Sequence, residues 1–411
     1  MKRRAGKRKP AEHERPIWDH GGAVDAEMLR FTIGDDWLQD RRLVEVDILG
    51  SMAHAEGLER AGLLEAHDLA AIRGGLEQLL ASWRNGEWDV APGDEDVHSA
   101  VERRLIEEIG EAGKRLHLGR SRNDQIALDV RLWLRGAIEA TRAVLERVTA
   151  ACTSLDEVRG ELALPGYTHL RRAMPSSVHD WIGAYRAAFA ADLAGLDDAS
   201  RRIAACPLGS GAGYGMPLEL DREGVARDLG FDGPEEPVTL TQLTRGRAEL
   251  AYLTALEGIA IDLGKLAFDL WLFSSVEFGF VHLPEELTTG SSLMPHKRNP
   301  DLIELVRAHC RQAIADRAAL LDVIRDLPAG YHRDFQLLKP PLFRAHDRMV
   351  AALPLAARLL ERLEFDERAL RKAAADPDLK ATAKALERAA RGEPFRDVHR
   401  AESQVLKKKP G

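Results

Sequence analysis

The side chains best suited to chemistry lie in residues 288–301, TTGSSLMPHKRNPD, a segment rich in hydroxyl groups and cations. Hydroxyl groups, a lysine ammonium and an asparagine amide in a flexible loop are typical of a lid that closes over an anion. Ser291 and Ser292 could donate to carboxylate oxygens, while Lys297 would supply a point charge. An ordinary polar loop with a helix N-cap near Asn299 is the alternative interpretation.

Residues 117–125, HLGRSRNDQ, form a second polar segment, just before a stretch with helical periodicity. Guanidinium groups beside a helix N-terminus create an anion site. The candidate binding residues in this segment are Arg120, Ser121, Arg122 and Asn123. The alternative is a capping segment whose arginines are solvated.

Two other loops could supply an acid, a base or a binding group. Residues 166–175, GYTHLRRAMP, place His169 beside Thr168, and a loop histidine can transfer protons near neutral pH. A structural role is the alternative for His169, and it is the role we predict for His179, which lies in a helical stretch. Residues 331–339, YHRDFQLLK, follow the last long helix and are equally dense in polar groups.

The glycine-rich run at residues 209–215, GSGAGYG, does not predict a dinucleotide site. It lacks the GxGxxG spacing, it follows helical rather than strand sequence, and Pro217 interrupts any immediate helix. The glycines are expected instead to allow close backbone approach or unusual dihedral angles. No HExxH motif or carboxylate cluster predicts a metal, and Cys152, Cys206 and Cys310 are expected to be reduced core thiols.

Long helices are the elements predicted to position these loops. Several long stretches lack proline, and apolar residues recur in them every three or four positions. The pattern predicts helices over residues 123–158, 250–273 and 301–326. Because helices of this length cannot bury their apolar stripes in a small globule, we expect an all-α fold with a central long-helix bundle that oligomerises. The predicted division is a basic disordered tail (1–16), an N-terminal helical domain (17–110), the central bundle with its loops (111–350) and a C-terminal helical domain (351–411).

The composition is that of an ordinary globular protein. Of 411 residues, 45% are hydrophobic and 30% are charged, and the net charge is −8. Positive charges concentrate at the two ends, so the intervening chain is the more acidic, which argues against a nucleic-acid-binding surface. With no apolar run of membrane-spanning length and no secretory signal at the N-terminus, we expect a cytoplasmic protein. The basic ends are expected to be solvated and disordered rather than to bind RNA or membrane.

Together these segments resemble the fumarase/aspartase superfamily and, within it, the argininosuccinate lyases. The superfamily's loop, GSSxMPxKxNP, is matched at residues 290–300, and HLGRSRNDQ, GYTHLRRAMP, PLGSGA and YHRDFQLLK resemble the segments of this branch in the same order. The resemblance covers nearly the whole chain after about residue 17. It implies an all-α homotetramer whose active sites gather loops from three subunits, and elimination of fumarate from argininosuccinate to give arginine without a cofactor.

The resemblance also implies roles for individual residues. Ser291 would remove a proton from the carbon next to a carboxylate, giving a carbanion that Lys297 and Asn299 stabilise. His169, paired with Glu304, would protonate the leaving nitrogen. Substrate binding is implied for Ser121, Arg122, Asn123 and Thr168 at the carboxylates, for Tyr331, Gln336 and Lys339 at the amino-acid end, and for Asp40.

Several residues depart from the family pattern. The family has a serine four residues before the aspartate that Asp40 matches, whereas Asp36 stands in that place here. An extra carboxylate there could weaken the binding of an anionic substrate or alter specificity. Leu118, Arg171 and Met174 also differ from the threonine and two glutamines that are usual in the family.

Two alternatives to an argininosuccinate lyase are open at this point. The loop MPHKRNP is closer to that of the adenylosuccinate lyases, although GRSRNDQ and the set of Tyr331, Gln336 and Lys339 oppose another succinyl adduct. A catalytically weak homologue with a structural role, as in lens crystallins, is opposed by the retained catalytic residues.

In an acidic chain, the anion site would depend on a few cations, chiefly Lys297, Arg122 and Lys339. The C-terminal domain is expected to be short and to end in a lysine run rather than a packed helix.

Overall fold

Helix dominates the computed structural model, which describes residues 25–91 and 93–407. The all-α class predicted from composition and periodicity is confirmed. The predicted basic tail at residues 1–16 lies outside the described residues, as do Lys408 and Lys409. Within the described residues, no helix is both long and apolar enough to cross a membrane.

Fifteen α-helices occur in the described part of the chain. Four of them follow an aspartate whose carboxylate accepts backbone N–H groups of the first turn, which stabilises the start of the helix: Asp25, Asp96, Asp221 and Asp366. In chain order the helices are α1 (Ala26–Ile33), α2 (Asp36–Asp40), α3 (Val44–Arg60), α4 (Ala66–Arg84), α5 (Val97–Ile109), α6 (Arg122–Arg159), α7 (Val178–Arg202), α8 (Arg222–Asp228), α9 (Leu240–Leu243), α10 (Arg247–Phe273), α11 (Asp301–Ile324), α12 (Lys339–Glu361), α13 (Glu367–Ala374), α14 (Ala381–Ala390) and α15 (Phe395–Lys407).

The long helices lie where the apolar periodicity predicts them. The stretch 123–158 is covered by α6, 250–273 by α10, and 301–326 by α11 except for its last two residues. At 1.5 Å per residue, the 38 residues of α6 extend over about 57 Å. These three predictions are confirmed to within a few residues at each end.

The C-terminal helix extends further than expected. Instead of giving way to a lysine run, α15 continues to Lys407. Val398 of α15 is buried, and Glu402 pairs with Arg388 of α14 at 3.2 Å. The expectation was wrong because it gave more weight to the terminal charges than to the helical spacing of the apolar residues in residues 395–405.

Eight strands of two to four residues pair in twos within the described residues. They are β1 (Gly166–Thr168), β2 (Arg171–Met174), β3 (Ala205–Cys206), β4 (Gly233–Pro234), β5 (Val281–His282), β6 (Thr289–Gly290), β7 (Arg298–Asn299) and β8 (Glu364–Phe365). The pairs β1–β2, β5–β8 and β6–β7 are antiparallel, and β3–β4 is parallel. Strands this short carry no alternating pattern, so the sequence could not predict them.

Two structural units make up the chain, each built from three separate stretches. Within the described residues, the first unit comprises the chain up to Glu139, Asp197–Tyr252 and Asp316–Arg344, and the second comprises Ala140–Leu196, Leu253–Ala315 and residues 345–407. The boundaries fall inside α6, α7, α10, α11 and α12. The division into consecutive domains that we made from the sequence stays a prediction.

The first unit has a core between α3, α4 and α5. Its fully buried side chains include Ile72, Leu76 and Leu105, and burial of each such side chain contributes about 1.5–3 kcal/mol. Gly75 of α4 allows α4 and α5 to approach each other closely. A Cβ atom at Gly75 would lie only 2.7 Å from Cδ1 of Leu105 in α5. A larger residue there would force the Leu105 side chain or the two helices to shift.

The second unit packs its long helices through the apolar stripes seen in the sequence. Leu263, Leu266 and Leu270 of α10 line a small apolar pocket together with Ile303 and Val306 of α11. All five side chains are buried. The stripe predicted for residues 250–273 therefore serves as a helix-packing surface.

The three cysteines lie in the core, as predicted. Cys152, Cys206 and Cys310 are all buried and unpaired. Burial raises the pKa of the Cys206 thiol to about 11, so it stays protonated and unreactive near neutral pH.

Candidate functional site

The predicted site residues are divided between the two units. The first unit holds Asp40, Ser121, Arg122, Asn123, Tyr331, Gln336 and Lys339, and the second holds Thr168, His169, Ser291, Lys297, Asn299 and Glu304. All of the first set except Ser121 line one cavity of about 210 Å³. The structure therefore brings together the binding residues that lie far apart in the first unit's sequence.

The cavity of the first unit is lined by residues of α2, the first turn of α6, the 3-10 helix Arg333–Leu338 and the start of α12. Its lining mixes both signs of charge. The carboxylates are Asp36, Asp40, Glu95, Asp96 and Glu249, and the cations are Arg122, Arg245, Arg333 and Lys339. A lining of this kind suits a ligand that itself carries both charges, such as the amino-acid end of a substrate.

Lys339 is a buried cation that two carboxylates share. Its side chain is 6% exposed, its Nζ atom lies 2.7 Å from Oδ1 of Asp36, and it also donates to Oδ1 of Asp40. Burial alone would lower the pKa of Lys339, but the two carboxylates raise it above its usual range. Its charge is thus offset within the protein by Asp36 and Asp40, and its role as a principal cation of the anion site stays a prediction.

The environment of Asp36 disfavours the ionised form of its carboxyl group. Burial and the nearby Asp40 carboxylate raise the pKa of Asp36 to about 7, against the opposing effect of Lys339. Asp40 is fully buried, and its second oxygen, Oδ2, accepts the backbone N–H of Val97 at 3.0 Å. The residue that stands where the family has a serine is therefore a carboxyl group that titrates near neutral pH.

Two other cations of the cavity are also paired with carboxylates. Nη1 of Arg122 lies 2.8 Å from Oδ2 of Asp96 and 3.7 Å from Oε2 of Glu95. Nη2 of Arg333 lies 3.3 Å from Oε1 of Glu95 and donates to the carbonyl of Thr32 at 3.0 Å. Both guanidinium groups are thus fixed in the cavity wall by partners of opposite charge.

Arg245 is the buried cation that the sequence did not single out. Its side chain lines the cavity and is only 9% exposed. Its Nη1 atom donates to the carbonyl oxygen of Asn123 at 3.2 Å, and its guanidinium lies 5.4 Å from the ring centre of Phe335. Burial lowers the pKa of Arg245, although the nearby Glu249 opposes this.

The start of α6 is fixed by side chains that point away from the cavity. Arg120 donates to Oγ of Ser51 at 2.8 Å, and Gln125 donates to Oδ1 of Asp47 at 2.7 Å. Ser121 Oγ accepts the backbone N–H of Asn123 at 3.3 Å. Arg120 and Ser121 thus support the segment, while Arg122 and Asn123 reach the cavity.

The glycine-rich run holds the same segment in place. The backbone N–H groups of Gly209 and Gly211 donate to Oδ2 of Asp124, at 3.0 and 2.7 Å. Both glycines have left-handed backbone angles, with φ of 87° and 61°. A side chain would be strained at these positions, and this explains the two glycines, which were predicted to allow unusual dihedral angles. Their role is to secure the start of α6.

Asp47, His98 and Asp129 form a buried ion cluster, and His98 also lines the cavity. Nδ1 of His98 lies 3.0 Å from Oδ1 of Asp47 and 3.5 Å from Oδ2 of Asp129. Burial disfavours the charged imidazole, but the hydrogen bond and charge of Asp47, with the charge of Asp129, raise the pKa of His98 to about 9. These three side chains are close enough to ligate a metal. In this structure the two carboxylates balance the charge of the His98 imidazolium, and the three side chains form a buried network of ion pairs.

In the second unit, β6 and β7 pair across the base of the loop that carries Ser291. The Oγ atom of Ser291 accepts the backbone N–H groups of Met294 at 3.0 Å and Leu293 at 3.3 Å. Two N–H donors on one hydroxyl oxygen would stabilise negative charge on it. This is the environment that a serine acting as a base requires.

The other predicted residues of this loop are more accessible. Lys297 is exposed, and Asn299 is half-buried in β7. Oγ1 of Thr289 donates to Asp301 at the start of α11, which ties the two ends of the loop together. The amide, ammonium and hydroxyl groups thus lie on a loop whose two ends are joined by a hydrogen bond.

His169 lies in a strained turn between β1 and β2. His169 and Leu170 both have left-handed backbone angles, with φ of 53° and 55°. Such angles cost roughly 1–3 kcal/mol each for residues with side chains, and they concentrate at functional sites. Thr168, His169 and Leu170 are all exposed, so the turn presents the imidazole on the surface of the unit.

Glu304 lies one turn into α11. Its Oε1 atom accepts the indole N–H of Trp271 in α10 at 3.2 Å. The side chain is largely exposed and can accept further hydrogen bonds. The pairing of Glu304 with His169 that the resemblance implies stays a prediction.

The three other departures from the family pattern are on the surface of their units. Leu118 is 42% exposed, and its carbonyl oxygen lies 2.9 Å from Nε2 of His54. Arg171 and Met174 are exposed residues of β2. His179, predicted to be structural, lies 2.7 Å from Oδ1 of Asp156 through its Nδ1 atom.

Known proteins with similar sequences are lyases. Residues 21–315 match a family model described as a lyase. Argininosuccinate lyase of Sorangium cellulosum is 43% identical over 93% of this chain and 89% of its own length. That of Stenotrophomonas maltophilia is 43% identical over 94% of this chain and 89% of its own length.

Solved structures with similar folds have lower sequence identity. An EDDS lyase variant with bound fumarate superposes with a TM-score of 0.80 at 22% identity, over 94% of this chain and 76% of that one. A fumarate lyase:delta crystallin from Brucella melitensis gives a TM-score of 0.74 at 20% identity, over 90% of this chain and 88% of that one. At such identities the likeness shows the fold alone.

The helical fold and the serine-bearing loop define a carbon–nitrogen lyase of the fumarase/aspartase superfamily. Within that superfamily, the chain belongs to the argininosuccinate lyase family.

Besides His98, five charged residues of the cavity received no role from the sequence: Glu95, Asp96, Arg245, Glu249 and Arg333. Arg333 lies inside the segment YHRDFQLLK, so its position in a dense polar loop was the available signal. Arg245 and Glu249 lie four residues apart near the start of α10, and nothing in their spacing distinguishes them from a solvated helical pair. Only the tertiary structure shows that both are buried.

Proposed function

We propose that this protein eliminates fumarate from argininosuccinate and releases arginine. The observation that carries the proposal is the hydroxyl of Ser291, which accepts two backbone N–H groups at the head of the superfamily's signature loop. Membership of the argininosuccinate lyase family, with identity of 43% over almost the whole chain, supports this substrate in particular.

The reaction begins with proton removal from the carbon next to a succinyl carboxylate. Ser291, as the alkoxide, would take this proton, and the electron pair would move into the carboxylate to give a dianionic intermediate. Lys297 and Asn299 would stabilise that charge. The electron pair then returns from the carboxylate to form the new carbon–carbon double bond of fumarate. The C–N bond breaks at the same time, and His169 donates a proton to the departing guanidino nitrogen. The products are fumarate and arginine.

The cavity of the first unit would receive the amino-acid end of the substrate. Tyr331 and Gln336 present a hydroxyl and an amide to it, and Lys339 with Asp40 forms its charged wall. Gln336 is itself held in position, because its Nε2 atom donates to the carbonyl of Ile33 at 2.9 Å. Rigid polar groups of this kind favour a single orientation of the bound end.

Adenylosuccinate is the second candidate substrate, favoured by the loop MPHKRNP. The two substrates can be distinguished with purified protein by following fumarate release through its ultraviolet absorbance. Argininosuccinate should give fumarate, and adenylosuccinate should give none above the background rate. Release from adenylosuccinate alone would overturn the assignment.

We also propose that the protein is a cytoplasmic homotetramer. Its active sites would be shared between subunits. Exposed apolar side chains on the long helices support assembly, because α6 leaves Val158, α10 leaves Ile261 and Phe268, and α11 leaves Leu305 at least 43% exposed. A chain of 45.5 kDa should then give about four times that mass by light scattering.

A further inference from the structure

We propose that Arg245 binds the carboxylate at the amino-acid end of the substrate. This inference rests on the proposed function and adds to it a specificity-determining residue. Arg245 lines the same cavity as Tyr331, Gln336 and Lys339, yet it lies in a different part of the chain, two residues before α10.

Arg245 differs from Lys339, Arg122 and Arg333 in how it is paired with acidic side chains. Lys339 is shared by two carboxylates, while Arg122 and Arg333 pair with acidic residues of the cavity wall. Among the residues that the structure describes, Arg245 forms no salt bridge. Glu249 is a nearby negative charge but forms no salt bridge with Arg245. A buried guanidinium that no carboxylate contacts is unfavourable, so a bound substrate carboxylate would complete the site.

The position of Arg245 is fixed before any ligand binds. One N–H group donates to the carbonyl of Asn123, and the guanidinium lies against the ring of Phe335. A guanidinium has five N–H donors, so this contact leaves donors for a two-point hydrogen bond to a carboxylate. The carbonyl of Asn123 is also held by Gln242, whose Nε2 atom donates to it at 3.2 Å.

Because of Asp36, the cavity needs a cation other than Lys339 to bind the substrate carboxylate. Where the family has a serine hydroxyl, this chain has a carboxyl group whose charge would repel a substrate carboxylate. Asp36 also engages Lys339, the nearest ammonium, at 2.7 Å. A substrate carboxylate must therefore find its cation elsewhere in the cavity, and Arg245 supplies it. Glu249, buried in the same lining, provides the opposite charge for the ammonium group.

Arginine and agmatine, which is arginine without its carboxylate, test the proposal directly. Isothermal titration calorimetry on the full-length protein should show that arginine binds more tightly than agmatine by roughly tenfold or more, the effect of one charge-assisted pair. Arg245→Met should weaken arginine binding by about the same factor and leave agmatine unchanged. Arg245→Lys, which keeps the charge, should restore part of the preference.

Arg247→Met is the matched control, because Arg247 is an exposed arginine two positions further along that does not line the cavity. It should bind both compounds as the unmodified protein does. An Arg245→Met protein that keeps the preference for arginine, or that loses affinity for both compounds equally, would overturn the proposal. Fumarate release from argininosuccinate without any preference for arginine would refute this inference alone, whereas no release at all would refute the proposed function.

Discussion

The ammonium of Lys339 lies 2.7 Å from the carboxylate of Asp36 in the wall of the first unit's cavity. Because Asp40 bonds to the same ammonium, two carboxylates share one cation. Burial and the proximity of Asp40 raise the pKa of Asp36 to about 7. A single departure from the family pattern thus changes both the charge of the pocket and its response to pH.

Asp36→Ser should strengthen the binding of argininosuccinate. Above pH 7 the Asp36 carboxyl is ionised and repels the substrate's carboxylate, so its removal should lower KM by roughly threefold to tenfold and leave kcat nearly unchanged. Steady-state kinetics would measure both. Asp35→Ser is the control, because the exposed Asp35 side chain makes no cap hydrogen bond to α2. An unchanged KM for Asp36→Ser would show that Asp36 does not oppose the substrate.

The same group should make substrate binding depend on pH. As pH rises through about 7, Asp36 loses its proton, and KM should rise in the unmodified protein but not in Asp36→Ser. Because the folded-state pKa is raised, the contribution of Asp36 to stability is present below its unfolded value of 3.8 and is lost as pH rises through about 7. Identical pH profiles for the two proteins would contradict the assignment.

Ser291→Ala should abolish most of the activity without unfolding the protein. Loss of the base should lower kcat by roughly 10²–10⁴-fold. The melting temperature should change little, because the hydrogen bonds of this hydroxyl within the described residues are to N–H groups of its own loop. Ser292→Ala, at the exposed neighbouring serine, is the matched control and should stay active. If Ser291→Ala retained full activity, Ser291 could not be the base.

His98→Gln should destabilise the first unit in a pH-dependent way. Because the folded-state pKa of His98 is raised from 6.5 to about 9, its contribution to stability is complete below pH 6.5 and is lost as pH rises through about 9. Breaking this buried pair should lower the free energy of unfolding by about 3–5 kcal/mol at low pH, and by less above pH 9.

Denaturant unfolding at several pH values would measure this difference. His67→Gln, at a histidine whose side chain is 79% exposed, should change stability by less than about 0.5 kcal/mol throughout. A constant difference between His98→Gln and the unmodified protein across the pH range would show that His98 is not charged in the folded state.

Sites shared between subunits predict recovery of activity in mixed tetramers. Arg122→Ala and Ser291→Ala should each be inactive alone. If the two segments that carry these residues come from different subunits, co-expression should produce some sites with both residues intact and thus partial activity. A mixture no more active than either parent, in a confirmed tetramer, would contradict shared sites.

The sequence predicts the helices well because the apolar spacing of α6, α10 and α11 is a local property. It also predicts which segments carry polar groups, and six of the seven residues assigned to the first unit line one cavity. The charge state of that cavity could not be predicted in the same way. Lys339 and Asp36 are about three hundred positions apart in the sequence, and only folding brings them together.

Arg245 is a cavity residue that could not be identified from the sequence. In the sequence it is one of many arginines in helical surroundings, and solvation is the ordinary outcome for such a residue. Its burial depends on Phe335 and Asn123, which come from separate segments. The glycines at positions 209 and 211 were correctly expected to relax the backbone, but their partner, Asp124, could not be named.

Cleavage of argininosuccinate into fumarate and arginine can be measured directly. Proton NMR of argininosuccinate incubated with the purified protein would follow fumarate and arginine together in one sample. Both products should appear at equal rates, and Ser291→Ala should produce almost none of either. Folded, tetrameric protein that leaves argininosuccinate unchanged would contradict the proposed function.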